Sequence, residues 1–417
     1  MSMTSTAATN GTKTFDYKGR NPEGKVVKGQ VDAGSSSGAI ARMRSMGLSP
    51  ISVEESKGGS GLQTEIKIPG LSKGVSMKDL SVMSRQMATM ISAGLSLLKT
   101  LTILSEQTEN KTLAKALAEV RTDIESGGSL SASFAKHSRI FPPLMIHLIR
   151  AGETGGFLEN SLESVATNYE KEVKLRATIK SAMTYPVVVV IIAIVAVIAM
   201  LVFIVPIFEA MFKSMGSELP VPTQVLVVLS HNMVWAGPVI AVTAIVFAIW
   251  WGRNKNTERV RQFVDPLKLK IPVFGPLLKK VAIARFTRNF STMLGAGVPI
   301  LQALSIVGET SGNYVIEEAL HKVADSVKIG RSIAEPLAEE DVFPSMVVQM
   351  VAVGEDSGSL EPMLAKISDF YDDEVEATTE QLTALIEPLM ITFMGALIGG
   401  MIVALYMPIF SIFDEIK

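Results

Sequence analysis

RQMATMISAGLSLLKTLTIL, residues 85–104, returns as RNFSTMLGAGVPILQALSIV at residues 288–307. The echo extends well beyond this stretch. Phe141-Pro142 recurs as Phe343-Pro344, NYEKEV at residues 168–173 as FYDDEV at 370–375, and VPIF at 205–208 as MPIF at 407–410. The offset stays at 202 or 203 over more than a hundred positions, and a spacing held that long marks an internal duplication. Inside each copy apolar residues recur at i, i+3, i+4 and i+7, the period of a helix. Breaks near Gly94, Gly127, Pro142 and Gly152 divide the first copy into five or six helices between residues 77 and 180, a size suited to a helical bundle.

Composition points to a membrane. Of the 417 residues only 19% are charged, and the mean hydropathy is positive. Residues 187–208 carry no charge, and residues 224–251 and 386–410 form two further apolar stretches. Each exceeds the roughly 20 residues a helix needs to cross a bilayer. Residues 231–238, HNMVWAGP, are expected to interrupt the second stretch, and Trp250 and Trp251 stand like an interfacial belt. Lys171, Lys174, Arg176 and Lys180 precede the first span, Arg253, Lys255, Arg259 and Arg261 follow the second, and the loop between them has only Lys213. The positive-inside rule then places the N-terminus and residues 252–385 in the cytoplasm. The first fourteen residues are polar, so no cleaved signal peptide is expected.

The expected fold class is mainly α: an integral membrane protein with two repeated cytoplasmic helical bundles, three transmembrane helices and a small N-terminal α/β unit. Residues 1–55 read as a β-β-α-β unit, with Phe15 and Tyr17 in the first strand, an NPEG turn, VVKGQV as the second strand and a short helix ended by Gly47. A Gly/Ser/Lys-rich linker follows at 56–75. The bundles occupy 76–183 and 252–385, the spans 184–208, 223–251 and 386–410, an extracytoplasmic loop 209–222, and a short extracytoplasmic tail 411–417. Both copies enter the bilayer in the same direction, because one extra span lies between them.

Apparent catalytic motifs dissolve on inspection. Gly19-x-x-x-x-Gly24-Lys25 imitates a phosphate-binding loop, but Val26 stands where a Mg²⁺-ligating hydroxyl belongs and the segment is a hairpin. Gly34-Ser35-Ser36-Ser37-Gly38 imitates a nucleophile elbow, yet no sheet of hydrolase size precedes it, and serines at a helix start are ordinary caps. His137, His147, His231 and His321 share no metal-ligand spacing, and the absence of cysteine excludes disulfides and thiolate sites. No basic stripe with interleaved aromatics suggests nucleic acid. A transporter needs ionisable groups near the midplane; the first span has none, and the third has only Glu387 at its cytoplasmic edge, beside Pro388. Gly395 and Gly399, followed by Gly400, form a small-residue face suited to helix contact within or between chains. No catalytic residue and no cofactor are expected.

GETGGFLEN, residues 152–160, is echoed by GEDSGSLEP at 354–362. Each lies where a short apolar helix gives way to the long helix that enters the membrane. The motif reads as a helix–helix corner. Gly152, Gly156, Gly354 and Gly358 supply backbone freedom, with Gly152 expected to end its helix. Leu158 and Leu360 open the long helices, and Glu153 and Glu355 are candidates for structural or partner contacts, with Glu153 and Glu159 near a helix N-terminus.

This architecture closely resembles the PilC/GspF family, the inner-membrane platform proteins of type IV pilus assembly and type II secretion. The resemblance covers nearly the whole chain from about Phe15. It rests on IPVFGPLLKKVAIARFTRNFSTMLGAGVPILQAL from Ile271, FPSMVVQMVAVGEDSGSLEPML from Phe343, and LIEPLM and ALYMPIF in the last span. It implies a non-enzymatic scaffold in the inner membrane, with partners in a hexameric assembly ATPase, pilin or pseudopilin subunits, other inner-membrane assembly components and further copies of itself. The N-terminal unit looks like the pilus branch, with a secretion platform as the alternative. Some relatives bind a divalent cation in the first bundle, which makes Glu153 a candidate ligand without identifiable companions.

Overall fold

The computed structural model describes residues 13–20, 26–55, 74–214, 219–272 and 274–415. The NPEG turn, Gly24-Lys25, nearly all of the linker and the tip of the loop between the first two spans lie outside them. The chain divides into two compact units, residues 1–73 and 74–417.

The first unit is the expected β-β-α-β. Strands β1 (Lys13–Arg20), β2 (Val26–Ala33) and β3 (Ser49–Glu55) form an antiparallel sheet of order β2-β1-β3, with helix α1 (Ser36–Ser45) between β2 and β3. Phe15, Val31, Ala33 and Ala39 make its core. Ser35 is the N-cap, its hydroxyl accepting from the Gly38 amide at 3.3 Å, so the serine cluster has the ordinary capping role.

In the second unit the first copy contributes α2 (Met77–Ser92), α3 (Leu97–Gln107), α4 (Lys111–Glu125), α5 (Leu130–Lys136), α6 (Pro143–Gly155) and α7 (Leu158–Ala199), followed by a π-helical turn (Met200–Ile204) and α8 (Val205–Ser214). Next come α9 (Val221–Asn254) and α10 (Glu258–Lys270). The second copy repeats the order as α11 (Phe274–Gly295), α12 (Ile300–Thr310), α13 (Tyr314–Lys328), α14 (Ala334–Ala338), α15 (Ser345–Asp356) and α16 (Leu360–Glu415). The helix starts follow from local chemistry. Ser76 and Asp79 form a reciprocal capping box, and Ser96, Asn110, Ser129 and Asn313 cap with their side chains.

Packing repeats as well, with α2 lying on α7 and α11 on α16. The two bundles are continuous with each other. Leu101, Phe134, Phe141 and Leu162 of the first copy belong to one apolar cluster with Phe286, Phe290, Leu320 and Val351 of the second.

Among the described residues three helices are long and apolar enough to cross a membrane. The first and third spans are the distal parts of runs Leu158–Ser214 and Leu360–Ile409 that begin in the bundles. Nor does HNMVWAGP interrupt the second, since α9 passes through it and through Pro238. In hydrocarbon a backbone must satisfy its own hydrogen bonds, which favours an unbroken helix even where a proline removes one donor. At one end of the spans, Leu201, Val205, Val227, Met401 and Leu405 form a separate small core.

Candidate functional site

The two corners are built alike but not quite as their sequence suggests. Gly152 does not end α6; the helix continues to Gly155, and Gly156 takes the left-handed conformation, φ +75°, that turns the chain. Gly152 is instead a close-approach position. A Cβ there would stand 2.4 Å from Ser161 Oγ and 3.0 Å from Leu158 Cα, so its hydrogen allows α6 and α7 to touch. The second corner divides the labour in the same way. Gly354 lies inside α15, with a Cβ position 3.0 Å from Leu360 Cα and 3.1 Å from Met363 Cβ, and Gly358 makes the turn at φ +66°. Leu158 and Leu360 are the first residues of α7 and α16, facing these glycines.

The glutamate contacts are also repeated. Glu153 accepts the Leu130 amide on Oε1 at 2.5 Å and the Ser131 amide on Oε2 at 3.0 Å. Glu355 accepts from Ile333 at 2.9 Å and from Ala334 at 3.3 Å. Each carboxylate therefore caps the start of a short helix (α5 or α14), satisfying amides with no intrahelical partner. Ser129 and Ser332 accept the amides of Ala132 and Glu335 alongside. The helix start that Glu153 serves lies 22–23 residues upstream, not in the α7 that follows it. Glu159 does lie in the first turn of α7, where it accepts the Ser92 hydroxyl at 2.7 Å. Among the described residues no group of three or more His, Asp or Glu is arranged to hold a metal.

A second constellation joins the copies. Glu172 on α7 is buried and receives Arg285 of α11, Nη2 to Oε1 at 2.7 Å and Nε to Oε2 at 3.0 Å. Arg176 binds it from the next turn at 2.5 Å, and Arg288 Nη1 stands 3.7 Å away. Arg288 also pairs with Asp372 on α16. Burial pushes the Glu172 carboxyl up, but the charge and hydrogen bonds of Arg285, with those of Arg176, outweigh it and hold the group below the ordinary glutamate range. Beside these groups Asn168 Nδ2 donates to Asn289 Oδ1 at 3.0 Å. A cleft of about 300 Å³ opens along this seam, lined by Asn168, Lys171, Arg288, Thr292, Glu361 and Ser368 among others.

The seam was not singled out by the sequence reading. Its signal lies where the copies differ. In the first copy Arg85 binds Glu170 at 2.7 Å and Glu163 at 2.6 Å on the surface. At the matching positions of the second copy, Arg288 keeps Asp372, but Ala365 replaces Glu163. Arg285 replaces Val82. The second copy's surplus arginines turn to Glu172 of the first.

In the spans, Glu387 and Pro388 are exposed on α16. Among the described residues, none beyond the glycines' own helical surroundings approaches within 4 Å of a Cβ placed at Gly395, Gly399 or Gly400, so this small-residue face is open. The structure thus separates it from the corners and the seam.

Comparison with known proteins agrees with the duplication. The family model "Type II secretion system (T2SS), protein F" matches twice, at residues 83–206 and 286–408, and the N-terminal domain model of the same family matches residues 7–54. The chain is 41% identical to a type IV pilus assembly protein PilC from Myxococcus xanthus over 408 residues, 97% of this chain and 96% of the relative. It is 41% identical to the protein of that name from Thermus thermophilus, covering 97% and 99%. A type II secretion system protein F from Vibrio cholerae is 28% identical, covering 95% and 97%.

Proposed function

This chain belongs to the PilC/GspF family of membrane platform proteins, and on that premise we propose that it is the inner-membrane platform of a type IV pilus assembly machine. In this reading a cytoplasmic, hexameric ATPase drives the bundles, and the spans deliver pilin subunits to the fibre. The pilus branch is favoured over secretion by the higher identity to PilC proteins, 41% against 28% for the Vibrio cholerae secretion protein. The positive flanks of the first two spans support a cytoplasmic N-terminus.

The observation that carries the reading is the continuity of the long helices. The helical run Leu158–Ser214 starts against the packed glycine of one corner and continues through an apolar span, and Leu360–Glu415 does the same from the other. At 1.5 Å per residue each spans roughly 80 Å. A force applied to the shared bundle core has a stiff route across the membrane, and none of the corner residues needs to do chemistry. The open face at Gly395 and Gly399 suits contact with a further copy of the chain or with another membrane component.

Deleting the gene and counting surface fibres tests the proposal. Fibres should vanish and return with the intact chain, while export of secreted enzymes continues. Normal fibres with lost export would move the chain to the secretion branch, and no effect on either would overturn the platform reading.

A further inference from the structure

Two carbonyls in the membrane region lack the donors that an uninterrupted helix would give them. In α16, Pro408 has no N–H, so the Ala404 oxygen four residues earlier lacks the amide that an α-helix would offer it. In the first span the Val205 amide reaches back to the Met200 oxygen across the π turn. The next bond of that pattern, to Leu201, would come from residue 206, which is a proline. Pro206 and Pro408 are equivalent positions of the duplication, and the π turn shifts the freed carbonyl by one residue.

Both oxygens are filled by the same helix. Thr223 Oγ1 on α9 donates to the Ala404 oxygen at 2.5 Å, and Ser230 Oγ donates to the Leu201 oxygen at 2.5 Å. Thr223 and Ser230 are 1% and 2% exposed, beside the small apolar cluster of Leu201, Val205, Met401 and Leu405. They stand seven residues apart, two helical turns, and so share one face of α9. Val227 lies between them and packs with Leu201, Val205, Met401 and Leu405.

We propose that Thr223 and Ser230 are positioning residues that clasp the proline breaks of both repeat-derived spans onto one face of the middle span. Each hydroxyl is matched to one proline: Thr223 to Pro408, and Ser230 to Pro206. Hydrocarbon offers a freed carbonyl no water, so the clasp makes each break tolerable only while α9 is seated. Through α9, which has no counterpart in the repeat, the ends of two separate membrane helices are held in one register. The inference does not depend on which machine the chain serves.

The matching gives a specific test on the full-length protein in detergent micelles or nanodiscs, read by hydrogen exchange and mass spectrometry. Thr223→Val should speed exchange in peptides around residue 408 by about three- to tenfold, the range expected for interhelical hydroxyl bonds in membranes. Thr223→Ser should leave it unchanged. Adding Pro408→Ala to Thr223→Val restores an N–H for Ala404 and should return exchange to the parental rate. Ser230→Ala should act around residue 206 and be rescued by Pro206→Ala, but not by Pro408→Ala. Parental exchange in both hydroxyl variants would overturn the proposal, as would rescue by the wrong proline variant. If Thr223→Val does not fold, recovery of folded protein in Thr223→Val/Pro408→Ala supports the clasp, and failure of that pair while Pro408→Ala alone folds refutes it.

Discussion

Replacing Glu172 with alanine removes the one acid that two arginines of the other copy share. The carboxylate is 10% exposed, with Arg285 at 2.7 Å and 22% exposed. Arg176, 52% exposed, can return to water. Arg285 is less exposed than Arg176, and the 5%-exposed Arg288 keeps Asp372 but loses the second negative charge in its surroundings. Breaking a buried ion pair from one side costs about 3–5 kcal/mol, because the stranded charge stays desolvated. Arg85, the first-copy counterpart of Arg288, supplies the control. Arg85 is 34% exposed and its partners 52% and 46%, so Arg85→Ala should cost only about 0.2–1 kcal/mol. Urea unfolding in detergent, followed by far-ultraviolet circular dichroism, measures both. A Glu172→Ala loss below about 1 kcal/mol, or an Arg85→Ala loss equal to it, would refute the reasoning that the seam holds the copies together.

The same unfolding assay checks three further expectations. Gly152→Ala puts a methyl group 2.4 Å from Ser161 Oγ and Gly354→Ala puts one 3.0 Å from Leu360 Cα, and each should cost about 1–3 kcal/mol, whereas Gly395→Ala, in open space, should stay within about 0.5 kcal/mol. Glu153→Gln and Glu355→Gln each weaken a carboxylate cap on two amides, with an expected loss of about 1 kcal/mol apiece. The Glu172 carboxyl is held below its ordinary range, so its contribution is present above the unfolded pKa and lost as pH falls through the lower folded one. The stability gap between the parent and Glu172→Gln should therefore shrink from pH 7 to pH 3. Asp372, which burial pushes up against the pull of Arg288, titrates with the opposite sign, and its variants should not show that shrinkage.

Much of the fold is legible because its signals are local or repeated. Serines and asparagines at helix starts, a period of 3.6 and a constant offset of about two hundred residues lead to the duplicated bundles. The corners are half legible. A glycine needed for a left-handed turn and one needed for close approach look the same in a sequence, so Gly152 read as the turn that Gly156 makes. Glu153 stands in the sequence near the start of α7, yet its carboxylate caps α5. The helix it caps lies upstream, and a distant amide leaves no mark beside the glutamate. Glu172 stayed hidden because an acid on a charged helix reads as a solvated face. Only the replacement of Glu163 by Ala365 and of Val82 by Arg285 shows that charge moved between copies. Span boundaries blur for a related reason: the apolar stretch begins in mid-helix, and the backbone has no cause to break there.

The proposed platform role requires the paired bundles to meet an assembly ATPase. Leu98 on α3 and its repeat counterpart Leu301 on α12 are exposed apolar side chains at equivalent positions. With a photoreactive amino acid at either site, irradiation of cells that are building fibres should join the chain to the assembly ATPase at one or both. Fibres built at the normal rate with no ATPase adduct from either copy would contradict it.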